Sequence, residues 1–373
     1  MDPSPEPRRP PWASPAWRAQ AVAWLDKQLA VAGSRRTGAV EQPHLRPWST
    51  VLTAPTSHGR VWMKACEPGT AFEVGLYGVL ALVAPERVLT PIGLDRRRGW
   101  LLLPDGGPPL ADRLEGDELI DAFVTILPRY AQLQRDVAAE AARLLALGVS
   151  DMRPAIMPRR FDEALDAIGD RLEPATRERV TAMRATFGAW CERLASMPGV
   201  PSIDHNDLHP WNMLVPRLDQ PHDVRFYDWG DAVIAHPFAS MLVPLTWLQD
   251  QLGFGVGSAA AIRVRDAYLS VFRDLAAPAE LIETLELACR VGKVTRALIW
   301  DRAVRSSAPT EVDAFYASAP ASSLAALRCS QTPIALTPAA ATRAGTSPSR
   351  TGRTRASRCT WRASRRAPPL SDC

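Results

Sequence analysis

Ser202-Ile-Asp-His-Asn-Asp-Leu-His-Pro-Trp-Asn-Met-Leu-Val215, with Phe226-Tyr-Asp-Trp-Gly-Asp231 close behind, decides how this chain folds. The first stretch crowds titratable residues ahead of a short apolar run, Met213 to Val215. Pro216, Asp219, Pro221 and Asp223 then mark a turn, and a second largely apolar run, Val224 to Tyr227, leads into Asp228. Two short runs joined by turn residues predict an antiparallel hairpin. Such a pair returns the chain to its starting end, so Asn212, before the first strand, and Asp228, after the second, are expected side by side. Asp207 lies five residues before Asn212, in the loop that feeds the hairpin. Two carboxylates and an amide oxygen at one loop end are hard oxygen donors, a set that suits Mg²⁺ shared with substrate phosphates.

His205-x-Asp207-x-x-x-x-Asn212 followed by Asp228-x-Gly230 resembles the catalytic loop and metal-binding segment of the protein-kinase-like fold. Leu208-His209-Pro210 and Asp228-Trp229-Gly230 are similar to the aminoglycoside phosphotransferase and choline kinase group, which phosphorylates small molecules. Trp211 departs from that group, which often has Gly there, and is expected to alter loop packing. The resemblance implies an α+β, two-lobed protein-kinase-like fold, with a small antiparallel-sheet N-lobe and a mostly helical C-lobe. It implies ATP and Mg²⁺ as cofactors. Asp207 would orient the acceptor hydroxyl and take its proton, and Asn212 and Asp228 would hold Mg²⁺. His205 is counted with Asp207 as a catalytic-loop residue, fixing the loop by hydrogen bonds rather than serving as the base. His209 and Asp231 line the same region, and Asp204 reads as a loop cap.

Upstream, Ala16 to Val31 has helical apolar spacing with Gly33 as a stop. Trp48 to Thr53 and Arg60 to Ala65 read as strands joined at Ser57-His58-Gly59. Strand alternation puts Lys64 on the face of Trp62, with Val61 and Met63 on the other. Lys64 is one of only three lysines, beside Lys27 and Lys293, among 44 basic residues. The resemblance makes it the lysine that grips the inner phosphates. Thr70 to Val83 reads as a helix. Its Glu73 either closes a capping box with Thr70 or, as the resemblance implies, pairs with Lys64. Val88 to Leu94 and Gly99 to Leu103 suggest a further strand pair around Arg96-Arg-Arg98, and Pro104 to Pro109 breaks all regular structure where a hinge would lie. Pro104 has no N–H, so the amide that reads an adenine edge is expected from Leu103 or Asp105.

The expected organisation is therefore a disordered lead over residues 1–15, an N-terminal nucleotide-binding lobe over 16–103 and a hinge over 104–110. A helical C-terminal lobe over 111–328 carries the catalytic hairpin. In it, helices are expected at Glu118–Leu147 (kinked or restarted at Pro128), Arg160–Leu172, Pro174–Met197, Phe238–Leu252, Val256–Leu275 and Ala277–Val304. Residues 329–373 read as a disordered tail: from Gln331 onward there are eight Arg and one acid, Asp372. That tail carries +7 of a net charge of +4, which leaves the body at −3. An arm for an acidic partner or an uninvolved extension both fit.

Six scattered cysteines form no Cys-x-x-Cys pair, so neither a zinc site nor a disulfide framework is suggested, which fits the cytoplasm. The first residues have no apolar core of a signal peptide, and no run approaches a membrane span. The expected partner is a small molecule bearing a hydroxyl (an amino sugar, an amino alcohol or another metabolite), with neither nucleic acid nor membrane. Only a few residues separate Asp228 from Pro237, too few for a segment that docks a peptide. Two rivals stand beside this reading. A metal-dependent hydrolase could use His205, Asp207, His209, Asp228 and His236, and a non-catalytic binding module could keep the fold.

Overall fold

The Ser14 hydroxyl accepts a hydrogen bond from the Trp17 amide at 3.2 Å, and Pro15 follows at the first turn, so helix α1 (Pro15–Val31) begins where the chain first becomes apolar. A computed structural model describes residues 11–255, 257–305 and 314–328. The expectations for residues 1–10 and 329–373 lie outside these. Residues 11–15, expected to be disordered, are ordered: Trp12 is buried in a short 3₁₀ turn and its indole N–H donates to the Arg46 carbonyl at 2.9 Å.

Five antiparallel strands follow: β1 (Glu41–Leu45), β2 (Ser49–Thr56), β3 (Gly59–Cys66), β4 (Gly93–Asp95) and β5 (Trp100–Pro104), in the order β1-β2-β3-β5-β4. Pro43 is tolerated in β1 because that strand is an edge. One sheet face, with Leu52, Ala54, Val61, Met63 and Leu102, packs on Ala21, Trp24, Leu25 and Leu29 of α1. Each fully buried Leu, Val or Met side chain among them is worth about 1.5–3 kcal/mol. Lys64 projects from the opposite face, as the alternation requires. The predicted strand from Val88 shrinks to Gly93–Asp95, because Val88 instead bridges Phe226 in the catalytic hairpin.

Helix α2 (Phe72–Val83) crosses behind the sheet. Its apolar residues, among them Phe72, Leu76, Tyr77 and Leu80, belong to the core of the helical half, together with Leu101 and Leu103 of β5. That half is built on α3 (Gly116–Val137), which runs unbroken through Pro128 and gives way only at the 3₁₀ turn Ala138–Glu140. A long buried stripe from Leu119 to Val137 holds α3 together across the one amide that proline lacks. Then come α4 (Ala141–Ala146), β6 (Ser150–Met152), α5 (Met157–Ile168), α6 (Pro174–Ala182) and α7 (Arg184–Ala195). The catalytic stretch supplies β7 (Ser202–Asp204), the hairpin β8 (Met213–Leu214) and β9 (Arg225–Phe226), and β10 (Val233–Ala235). β10 lies between β6 and β7 in a three-stranded sheet. The chain continues through α8 (Leu242–Leu252), α9 (Ala259–Leu269), α10 (Pro278–Val304) and α11 (Ala314–Ala325). The expected two-lobed α+β architecture is met. Among the described residues no helix is long and apolar enough to cross a membrane.

Candidate active site

The hairpin forms in the predicted register, Met213 opposite Phe226, and the Tyr227 amide donates to the Asn212 carbonyl at 3.3 Å. Asn212 and Asp228 therefore leave the same end of the pair. Asp228 takes a left-handed backbone, φ 61°, and its amide donates to the Tyr77 hydroxyl at 3.3 Å. Such a conformation is costly for a residue with a side chain, and its retention at this point marks a place where the backbone aims the carboxylate.

Lys64 Nζ reaches Asp228 Oδ1 at 2.5 Å and Glu73 Oε2 at 2.6 Å. Burial alone would lower the Lys64 ammonium, but Asp228 and Glu73 outweigh it and hold the group well above its ordinary range. Burial likewise pushes the Asp228 carboxyl up, and Lys64 pulls it below its usual value. Glu73 is wholly buried; its Oε1 accepts the Trp229 amide at 3.0 Å, and the Cys66 thiol donates to its Oε2 at 3.5 Å. Glu73 therefore pairs with Lys64 rather than closing a capping box. The Thr70 hydroxyl turns to the Glu67 carbonyl, and no side chain caps α2. Gly230 is packed into this cluster: a Cβ there would stand 3.2 Å from Glu73 Oε2 and 3.3 Å from Lys64 Nζ.

On the facing loop Asp207 meets His209 Nε2 at 3.1 Å and Arg296 Nη1 at 3.3 Å, and it accepts from Asn212 Nδ2 at 3.2 Å. Burial raises the Asp207 carboxyl, yet His209 and Arg296 hold it below the usual carboxylate range. His209 is lowered by burial and raised by Asp207, and the net shift is upward. Asp231 sits beside Arg302 and is pushed up to about 6 by burial, with Asp207 adding to the push.

His205 is not placed to do chemistry. It is fully buried, its ring lies 4.5 Å from that of Trp229, and Nε2 meets the Tyr227 carbonyl at 2.9 Å. A carbonyl only accepts, so Nε2 carries the proton, and burial keeps the ring neutral by lowering its pKa. His205 ties the two halves of the motif together, while its own amide donates to the Tyr130 hydroxyl at 2.9 Å. Asp204 caps the loop as expected, accepting from the Asn206 amide and the Ser240 hydroxyl at 2.7 Å each. The hinge amides also need correction. The Asp105 N–H is committed to the Arg60 carbonyl at 3.0 Å, and the same alternation turns the Leu103 N–H toward Trp62 of β3. Neither remains for an adenine edge.

Arg296 and Arg302 carry no signal in the sequence, since 41 of the 44 basic residues are arginine. Residues 67–281 match the model of a phosphotransferase enzyme family, over more than half of the chain. The chain belongs to that family. Solved structures with the same fold include the macrolide 2′-phosphotransferase from Brachybacterium faecium, at 18% identity and a TM-score of 0.51, covering 81% of this chain and 97% of that one. A choline/ethanolamine kinase family protein from Mesorhizobium loti gives 17% and 0.51, covering 83% and 95%. An amicoumacin kinase solved with AMP-PNP and Ca²⁺ gives 10% and 0.51, covering 86% and 98%. At these identities the likeness is one of fold. No curated protein sequence matches the chain significantly. In this phosphotransferase Asp207, Asn212 and Asp228 fall inside the matched segment, whereas Lys64, Arg296 and Arg302 lie outside it.

Proposed function

We propose that this phosphotransferase moves the γ-phosphoryl group of ATP to a hydroxyl of a small molecule such as an amino sugar or amino alcohol. The observation that carries the reading is the Lys64–Asp228 contact of 2.5 Å, made between the sheet lobe and the catalytic hairpin. It brings a phosphate-gripping cation to the residue expected to bind the metal.

The donor set fits magnesium. Asn212 spends its amide nitrogen on Asp207, which leaves its oxygen for a cation, and Lys64 engages only Oδ1 of Asp228. Mg²⁺ is usually held by one or two carboxylates plus phosphates and waters. Bound by Asn212 and Asp228, it supplies positive charge to the phosphate oxygens. The hydrolase alternative loses its ligands: His205 is committed to Tyr227, and His236 to the Pro198 carbonyl at 3.0 Å. Among the described residues no three His, Cys, Asp or Glu side chains are grouped to hold a metal.

Asp207 accepts a hydrogen bond from the acceptor hydroxyl and aims its oxygen at the γ-phosphorus. As the new P–O bond forms and the bond to the β,γ-bridging oxygen breaks, the hydroxyl proton passes to Asp207. A carboxylate of low basicity suits a loose transition state, in which the proton leaves late. Lys64 holds the inner phosphates. Trp229–Asp231 leads at once into β10, so a long peptide-docking arm has no place here, which favours a small acceptor. The three described cysteines, Cys66, Cys191 and Cys289, are free and buried, in keeping with a cytoplasmic enzyme. Calorimetry with ATP·Mg²⁺, followed by ADP release across a panel of amino sugars and amino alcohols, tests the proposal. Absence of magnesium-dependent ATP binding would sink it.

A further inference from the structure

Arg296 and Arg302 both stand on α10, yet each touches a different acidic loop. Arg296 Nη1 donates to the Asn206 carbonyl and lies 3.3 Å from Asp207 Oδ1. Its guanidinium rests 4.9 Å over the Trp300 ring and its side chain is 15% exposed. Arg302 Nη2 donates to the Gly230 carbonyl at 2.6 Å and approaches Asp231 Oδ1 at 3.4 Å, with its guanidinium 5.4 Å over Phe72.

Asn206 is the strained point of the catalytic loop. Its φ is 57°, and its side-chain Nδ2 is buried without a hydrogen-bond partner among the described residues. A left-handed non-glycine residue of this kind persists only where its surroundings hold it. Asp204 holds its N–H, and Arg296 holds its carbonyl. The other partners of Asp207 are His209 and Asn212. Both lie within five residues of Asp207 in the chain, whereas Arg296 comes from a separate helix. Among the described residues, Arg296 is the hydrogen-bonding partner that reaches Asp207 from another element.

We propose that Arg296 is a positioning residue for phosphoryl transfer, tying Asp207 and the strained Asn206 turn to α10 so that the carboxylate keeps one aim. Arg302 is its counterpart for the Asp228–Asp231 loop and acts through a backbone carbonyl. The proposal rests on the reading of Asp207 as the base. The two arginines therefore have separable effects, one on turnover and the other on nucleotide binding.

The test uses the full chain and slow ATP hydrolysis, with water standing in for the acceptor. Water oxygen attacks the γ-phosphorus, its proton passes to Asp207, and ADP leaves with the bridging oxygen. Arg296→Ala should bind ATP·Mg²⁺ within about threefold of wild type by calorimetry but hydrolyse it about 10²-fold more slowly, the loss typical of a displaced catalytic group. Added guanidinium ion, at concentrations too low to denature, should restore at least about tenfold of that rate, because it can refill the planar fork. Arg296→Lys should recover less, and Asp207→Asn should gain nothing from guanidinium. Arg302→Ala should instead weaken ATP·Mg²⁺ binding by about tenfold or more. An Arg296→Ala variant with at least half the wild-type rate, or one that guanidinium cannot rescue, overturns the proposal. So does an equal loss of binding and rate in both variants. Should Arg296→Ala not fold, Arg296→Gln and Arg296→Lys carry the same comparison. The underlying reading fails by a different sign: wild type that neither binds nor hydrolyses ATP, or Asp207→Asn that hydrolyses it normally.

Discussion

The two sides of the cleft are charged in opposite senses. Beside the sheet, one cation, Lys64, stands between two carboxylates, Glu73 and Asp228. On the catalytic loop, one carboxylate, Asp207, stands among His209, Arg296 and the Asn212 amide. The first group has an acid left over, and a second positive charge can be received there at little cost. In the second, His209 and Arg296 hold the carboxyl below its usual range, so it stays ionised and oriented. The candidate site is thus polarised before anything binds. In the proposed function one side would take a cation with phosphates, and the other a neutral hydroxyl.

The comparison breaks most visibly at its catalytic end. Asp207→Asn keeps the shape and removes the charge; turnover should fall by about 10²–10⁴-fold while ATP·Mg²⁺ affinity is kept. An Asn variant that released ADP at the wild-type rate would erase the distinction between the walls. On the other wall, Lys64→Ala strands Glu73, which is wholly buried, without its cation. Removing one partner of a buried pair costs about 3–5 kcal/mol. The urea midpoint should fall accordingly, and Lys64→Met with Glu73→Gln should recover part of it. An unchanged midpoint would mean that the pair does not hold α2 in place.

A buried histidine outside the cleft provides a control on acidification. Burial lowers His236 from its ordinary 6.5 to about 4. Its neutral form is favoured in the fold, so its contribution is complete above pH 6.5 and is lost as pH falls from there toward 4. At pH 5 the difference is about 2 kcal/mol. His236→Gln should therefore lose less stability than wild type between pH 7 and pH 5, measured by thermal unfolding. Identical losses would remove His236 from the account. Asp204, pushed up to about 6 by burial, titrates over a similar window with the opposite sign, so only the difference between variant and wild type isolates the histidine. The smallest effect is expected at Trp211, which is 44% exposed and meets His209 and Trp247 edge-on. Trp211→Ala should cost about 1 kcal/mol; several times that would mean the indole is structural.

What could be read in advance was what is local. The hairpin and the nearness of Asn212 and Asp228 follow from turn residues and short spacings, and the strand face of Lys64 from alternation, while the roles of Asp207 and Lys64 are what the resemblance implies. Glu73 had two local explanations, and only the fold decides, by sending the Thr70 hydroxyl elsewhere. The Leu103 and Asp105 amides depend on how β5 registers against β3, which no short window contains. Arg296 meets Asn206 and Asp207 from about ninety residues away. It lies on a helix with buried residues on several faces, where no amphipathic pattern singles out one arginine. At Pro128 the helix does not restart, because the buried stripe along α3 carries it past the missing amide.

Helix α2 precedes the hinge in the chain, but its side chains are shared with the core of the helical half. Leu101 and Leu103 of β5 are buried in that same core, so the sheet and the helical half share apolar packing beneath the strands. The Lys64–Glu73 bond is thus a fixed tie between β3 and α2, backed by apolar contacts on either side rather than standing alone.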